Sequence, residues 1–169
     1  MCDFWKIKFP TSAAEICCVQ DGSCNISSNR MIPGCVGAID GILVVIKCPF
    51  MKAIDNNPLF YYNDHYCCHG LNVQSICDSS CCFTFFAVAA PGKSSDQAAV
   101  KQTSLLAALN CLPLGSYIFG DAAYTLNDKC ITPFTGSQRL IPSKDSFNFI
   151  LSQVRIIIEM AFRLLTTKW

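Results

Sequence analysis

The feature that most constrains this chain is one carboxylate, Asp40, inside an apolar region that runs from Cys35 to Cys48. A turn signal, Pro33-Gly34, precedes the region, which is rich in residues that favour strands. The pattern predicts two consecutive strands with Asp40-Gly41 near their junction, where Asp-Gly also fits a hairpin turn. Because a carboxylate between apolar strands is costly to bury alone, Asp40 requires a charged partner or a cation.

The composition fits one globular domain. The chain has 169 residues, of which 51% are hydrophobic and 15% are charged, enough to build a core. No apolar run reaches the roughly 18 residues that a membrane helix needs, and an early acid, Asp3, makes the N-terminus a poor signal peptide. The net charge of +1 provides no broad basic field, so any binding of nucleic acid would use local patches.

Cysteines are frequent, with 13 in the chain. The number is odd and several are adjacent in sequence, which favours free thiols in a reducing compartment, some of them buried as small hydrophobes. A zinc site is the alternative, because histidines and cysteines cluster in the middle of the chain. Its candidate ligands are His65, Cys67, Cys68, His69, Cys77, Cys81 and Cys82.

The order of the other elements predicts a mixed α/β sheet with helices packed on it. Residues 1–30 are predicted to be an irregular segment, with a loop from Asp21 to Arg30. Ser94 and Gln97 form a capping-box pattern that opens a helix. The later elements are predicted as strands over 71–77, 82–89 and 116–119, helices over 98–109 and 151–167, and a loop over 132–146.

Three acids have distinctive positions. Asp40 lies in the first apolar region, Asp121 follows a predicted short strand, and Glu159 lies in the last predicted helix. Acids at strand ends and on a helix that crosses the sheet can converge. Three converging carboxylates suit Mg²⁺ or Mn²⁺, and two such ions support phosphodiester chemistry.

Each acid also has a simpler interpretation that the residues alone leave open. Glu159 is four residues from both Arg155 and Arg163, a spacing typical of ion pairs on a helix. Asp121 could be a helix N-cap. Asp40 could be a turn residue before Gly41.

Five motifs in the sequence resemble those of a known family. In chain order they are Pro33 to Gly41, Tyr61 to Asn63 with Leu71 to Asp78, Ala90 to Gly92 with Asp96, Gly120 to Tyr124 with Leu126 and Thr132 to Phe134, and Leu151 to Phe162. Their order and gaps resemble the PIF/Harbinger-type transposases and their domesticated nuclease relatives, the DDE superfamily endonucleases. Five ordered blocks are a stronger signal than one short motif.

The resemblance implies an RNase H-like mixed sheet with flanking helices, as a partial nuclease domain over 31–169 after the irregular segment 1–30. It implies that Asp40, Asp121 and Glu159 form the catalytic and metal-binding triad, with Mg²⁺ or Mn²⁺ as cofactor. It further implies cutting of DNA, help from a separate DNA-binding protein, no membrane and a nuclear location.

The chain also departs from the family pattern. Ile42 and Leu43 stand where the family usually has threonine and histidine, and Ser95 stands where it often has histidine. These changes remove polar groups beside the expected site. Two alternatives therefore accompany the nuclease hypothesis: an inactive relic that serves as a DNA- or protein-interaction domain, and a zinc-stabilised cysteine-rich binding module.

Overall fold

The computed structural model describes residues 7–26, 32–50 and 57–168. The helices are α1 (Ala13–Ile26), α2 (Asp96–Lys101), α3 (Leu105–Asn110) and α4 (Pro142–Lys168). The strands are β1 (Cys35–Val45), β2 (Tyr62–Asn63), β3 (Cys68–Cys77), β4 (Phe83–Pro91), β5 (Tyr117–Phe119) and β6 (Cys130–Ile131). Short 3₁₀ turns lie at Pro58–Phe60 and Gly136–Leu140.

The strands form one mixed sheet. β3 lies between β4 and β1 and is antiparallel to both, while β1, β5 and β6 follow one another in parallel. β2 pairs with the first residues of β3. This sheet with helices on it confirms the predicted α/β, RNase H-like fold class.

The sheet separates two apolar cores. Leu151 and Ile158 of α4 share one core with Phe119 of β5. Leu105 of α3 shares the other core with Ile39 of β1. Burial of each such side chain contributes about 1.5–3 kcal/mol, so the two cores fix α4 on one face of the sheet and α3 on the other.

β1 is a single strand that continues through Asp40 and Gly41, so the predicted division into two strands is wrong. Asp40 pairs with Ser75 of β3, and Gly41 pairs with Gln74. The turn interpretation of Asp40 is wrong for the same reason. The local Asp-Gly signal is overridden because eight successive pairs, from Ala38 to Val45, join β1 to β3.

The N-terminal segment is not irregular throughout, because residues 13–26 form α1. Ser12 and Glu15 make a reciprocal capping box: the Glu15 N–H donates to Ser12 Oγ, and Glu15 Oε2 accepts the Ser12 N–H. The sequence contains this signal, but the Ser, Asn and Gly residues that follow it favour a loop. The rest of the predicted loop, 27–30, and residues 1–6 lie outside the described residues.

The predicted helix over 98–109 is two short helices, α2 and α3. Ser95, not Ser94, is the N-cap of α2, because its hydroxyl accepts the N–H of Ala98. The break follows from Thr103, whose hydroxyl donates to the Val100 carbonyl and accepts the Leu105 N–H. A threonine that bonds to the backbone in this way competes with helix continuation.

The predicted C-terminal helix is confirmed and begins earlier, at Pro142, inside the segment predicted as a loop. Proline suits the first turn of a helix because its missing N–H would have no partner there. α4 has 27 residues. Neither it nor any other helix in the described ranges is long and apolar enough to cross a membrane.

Cys35, Cys77 and Cys130 are buried free thiols. Burial raises the pKa of Cys35 to about 12 and that of Cys130 to about 11. Burial also raises the pKa of Cys77. These thiols therefore stay neutral and pack as small hydrophobes, as predicted.

Candidate carboxylate site

The parallel pairing of β1 and β5 positions Asp40 beside Asp121. Ala38 pairs with Phe119, and each aspartate lies two residues further along its chain segment. Burial is the main cause that raises the pKa of Asp40, and the charge of Asp121 acts in the same direction. Asp121 Oδ1 accepts the N–H of Ala123 at 2.8 Å in a turn, and no helix starts there, so the N-cap interpretation is wrong.

Glu159 approaches this site through Arg155, which lies one turn earlier on α4. Arg155 Nη2 is 3.6 Å from Asp40 Oδ2 and 4.0 Å from Glu159 Oε1. The predicted ion pair between Arg155 and Glu159 is thus confirmed, whereas among the described side chains Arg163 makes none with Glu159. The Glu159 side chain is 58% exposed, against 22% for Asp40.

The ionised form of Asp40 is disfavoured in the folded protein. Burial raises its pKa to about 6, and the nearby charges of Asp121 and Asp96 act in the same direction. The Gly41 N–H, which donates to Asp40 Oδ1 at 2.9 Å, and the Arg155 guanidinium oppose this shift. A half-buried carboxylate that other acids repel is stabilised when a cation lies beside it.

A network of polar side chains occupies the opposite face of the sheet. Asp96 Oδ1 accepts hydrogen bonds from Asn72 Nδ2 at 3.0 Å and Gln74 Nε2 at 2.8 Å. Gln74 Oε1 accepts the hydroxyl of Tyr124 at 2.7 Å. Gln74 is fully buried and Asn72 is 8% exposed, so these bonds satisfy groups that water does not reach.

This network links the segments that carry the two aspartates. Tyr124 closes the turn that begins at Asp121, where its N–H donates to the Asp121 carbonyl. Gln74, which Tyr124 contacts, is the β3 partner of Gly41, the residue after Asp40. Sequence reasoning missed this role. The available signal was a pair of amides, Asn72 and Gln74, two residues apart and therefore on the same face of the strand.

Tyr124→Phe should lower the free energy of unfolding by about 1–3 kcal/mol, the cost of leaving a buried acceptor without its donor. The orphaned atom is Gln74 Oε1. Urea unfolding followed by circular dichroism measures the change. Tyr66→Phe is the matched control, because Tyr66 is 63% exposed and should tolerate the loss. Equal effects of the two changes would contradict the network's role.

The described residues contain no cluster of three or more histidine, cysteine, aspartate or glutamate side chains placed to hold a metal ion. The candidate zinc ligands are accordingly not gathered into one site. Asp40 on β1 and Asp121, two residues beyond the end of β5, carry the hard oxygen donors that divalent cations prefer. Glu159, as placed, is instead paired with Arg155.

The mixed sheet with helices on both faces defines an RNase H-like α/β domain. A family model described as "DDE superfamily endonuclease" matches residues 39–169. The chain belongs to the DDE superfamily endonuclease family. This membership confirms the resemblance that its motifs indicated.

Curated relatives carry the name "Putative nuclease HARBI1". The chain is 26% identical over 164 residues to the proteins of Rattus norvegicus and Homo sapiens, and 24% identical to that of Bos taurus. Each comparison covers 96% of this chain and 44% of the relative, so the chain spans less than half the length of these proteins. No solved structure matches the chain significantly.

Proposed function

We propose that this domain cuts phosphodiester bonds in DNA, with Asp40, Asp121 and Glu159 as its catalytic carboxylates and Mg²⁺ or Mn²⁺ as its cofactor. The observation that carries the proposal is the placement of Asp40 and Asp121 on neighbouring parallel segments, close enough for their charges to interact. Membership of an endonuclease family supports it.

Each residue has a distinct task in this proposal. Asp40 and Asp121 hold the cation, and Glu159 completes the set from α4. A divalent cation held by these residues would supply activation of a water and stabilisation of the leaving oxygen. The Tyr124 hydroxyl, through Gln74, keeps the Asp121 turn at a fixed distance from β1.

DNA is the proposed substrate and the nucleus the proposed location. Because the net charge is only +1, the chain alone offers little long-range attraction to DNA. A separate DNA-binding protein is therefore proposed to bring the domain to its target. The membership in an endonuclease family supports DNA as the substrate class.

Nicking of supercoiled plasmid in Mg²⁺ or Mn²⁺ tests the proposal. Wild-type protein should convert the plasmid to open circles, and Asp121→Asn should leave it intact because a metal ligand is lost. Asp128→Asn is the control, since Asp128 is an exposed acid in the same loop region and should be dispensable.

Two results would count against the proposal. Nicking that survives Asp121→Asn would show that the carboxylate assignment is incorrect. Wild-type protein that fails to nick in either metal, although folded, would favour the inactive interaction domain. Ile42 and Leu43, which replace polar residues of the family pattern beside Asp40, are the observation that favours that second function.

A further inference from the structure

Arg155 lies between two of the three carboxylates assigned to the cation. Its Nη2 atom is 3.6 Å from Asp40 Oδ2 and 4.0 Å from Glu159 Oε1. Both distances exceed the 2.7–2.9 Å of a strong charge-assisted hydrogen bond. The guanidinium is therefore held by charge rather than by a closely fitted pair of hydrogen bonds.

Two buried polar atoms at this site have no hydrogen-bond partner among the described residues. Arg155 Nε is buried and has no hydrogen-bond partner among the described residues. Ser75 Oγ, on the β3 residue directly opposite Asp40, is also buried without a partner in the described ranges. Buried polar atoms are nearly always hydrogen-bonded, and each exception needs an explanation such as an ordered water, an ion or a functional role.

A guanidinium and a divalent cation cannot both lie against Asp40 and Glu159 without strong repulsion. Either cation supplies the opposite charge that the carboxylates need, and two cations placed side by side repel each other. Among the described side chains, Arg155 is the one that pairs with both Asp40 and Glu159.

We propose that Arg155 is an internal counter-ion that competes with the divalent cation for Asp40 and Glu159. While no cation is bound, its charge offsets the repulsion within the acidic site. When a cation binds, Arg155 leaves Asp40 and Glu159 becomes available as the third ligand. Arg155 thus raises the concentration of metal that the site requires. The inference rests on the proposed function, because it assumes that these carboxylates bind metal.

Mn²⁺ binding to the full chain, measured by isothermal titration calorimetry without DNA, tests the competition. Arg155→Gln and Arg155→Met remove the charge, and should bind Mn²⁺ about tenfold more tightly than wild type, within the usual range of coupling between sites. Arg155→Lys keeps the charge and should bind like wild type. Arg163→Gln is the matched control, because Arg163 is exposed on the same helix.

Thermal unfolding gives a second measurement that does not depend on activity. In EDTA, Arg155→Gln should unfold at a lower temperature than wild type, because Asp40 loses its cation. Saturating Mn²⁺ should raise the unfolding temperature of Arg155→Gln more than that of wild type, since tighter binding to the folded state stabilises it more. Arg155→Met serves the same comparison if Arg155→Gln does not fold.

The outcomes separate the two proposals. Measurable Mn²⁺ binding that is equal or weaker in the uncharged variants would overturn the competition and leave the proposed function standing. If Arg155→Lys also bound Mn²⁺ more tightly than wild type, the shape of the side chain and not its charge would set the affinity. That result would overturn the competition too. Absence of Mn²⁺ binding in wild type and in every variant would overturn the metal site itself and the competition with it.

Discussion

Asp40→Asn is expected to make the folded protein more stable at neutral pH. Burial first, and then repulsion by Asp121 and Asp96, raises the pKa of Asp40 from 3.8 to about 6, against the opposing effect of Arg155. A shift of this size corresponds to about 3 kcal/mol of unfavourable ionisation in the folded state. Asparagine keeps the shape of the side chain without the charge, so metal-free protein should gain stability of that order.

The gain in stability from Asp40→Asn should increase as the pH rises. The pKa of Asp40 is higher in the folded state, so the unfolded chain releases this proton first as the pH rises. The contribution of Asp40 to wild-type stability is therefore fully present below about pH 4 and is lost between about pH 4 and pH 6. Asp40→Asn lacks this loss, so the two proteins should differ little near pH 4 and most above pH 7.

Urea unfolding in EDTA across this pH range measures the difference. Asp128→Asn, which removes an exposed acid, should follow the wild-type curve. A variant at position 40 that is equally stable or less stable at every pH would show that the charge is well accommodated. In that case the burial of the Asp40 charge would not lower the stability of the folded protein.

The same change should lower metal-dependent nicking about a thousandfold, because loss of several kcal/mol of transition-state stabilisation has that effect on a rate. Stability gained and activity lost at one residue is typical of a site held in a strained state for function. Loss of nicking together with a clear loss of stability would indicate only damage to the fold around Asp40.

Local patterns in the sequence predicted part of this structure well. The apolar positions of α4 and the alternation in β3 depend on neighbours a few residues away, and both elements form as predicted. That the three carboxylates act together in catalysis remains a prediction. The i,i+4 spacing on α4 identified the pair of Arg155 with Glu159, because that spacing is local.

Long-range contacts account for what the sequence could not show. Nothing near Arg155 in the chain indicates Asp40, since only the packing of α4 on β1 brings them together. Gln74, likewise, is an ordinary polar strand position until Tyr124 and Asp96 bond to it from distant segments. Such partners depend on the finished sheet, which is why the contact of Arg155 with Asp40 and the role of Gln74 were found only in the structure.

Gly41→Ala sets a local backbone preference against a long-range contact. Whether the change raises or lowers the free energy of unfolding shows which of the two effects is larger. Alanine favours a strand slightly more than glycine does, and the backbone at Gly41 is not in the left-handed region. Local propensity therefore predicts a small gain. A Cβ at this position, however, would be 2.6 Å from Gln74 Nε2 and would collide with Asp96 Oδ1. Both are atoms of the buried network.

We expect the contact to dominate, with a loss of about 3 kcal/mol or more in the free energy of unfolding. Asp96 must move away, and two buried amides, those of Asn72 and Gln74, then lose their shared acceptor. The two amides keep their other acceptors, the Ser94 carbonyl and Asn72 Oδ1, but each lost hydrogen bond to a charged acceptor costs about 1.5–3 kcal/mol. Urea unfolding measures the loss, and a stability equal to or above wild type would show that the network adjusts freely.

A double-mutant cycle with Asp96→Ala locates the origin of the loss. If the collision with Asp96 is the cause, Gly41→Ala should cost less in the Asp96→Ala background than in wild type, because the obstructing side chain is gone. Additive effects would instead place the cost in Gln74 or in the strand itself. The Gly41 N–H also donates to Asp40. The absence of a side chain at position 41 thus lets the network pack directly against the backbone that positions the candidate metal ligand.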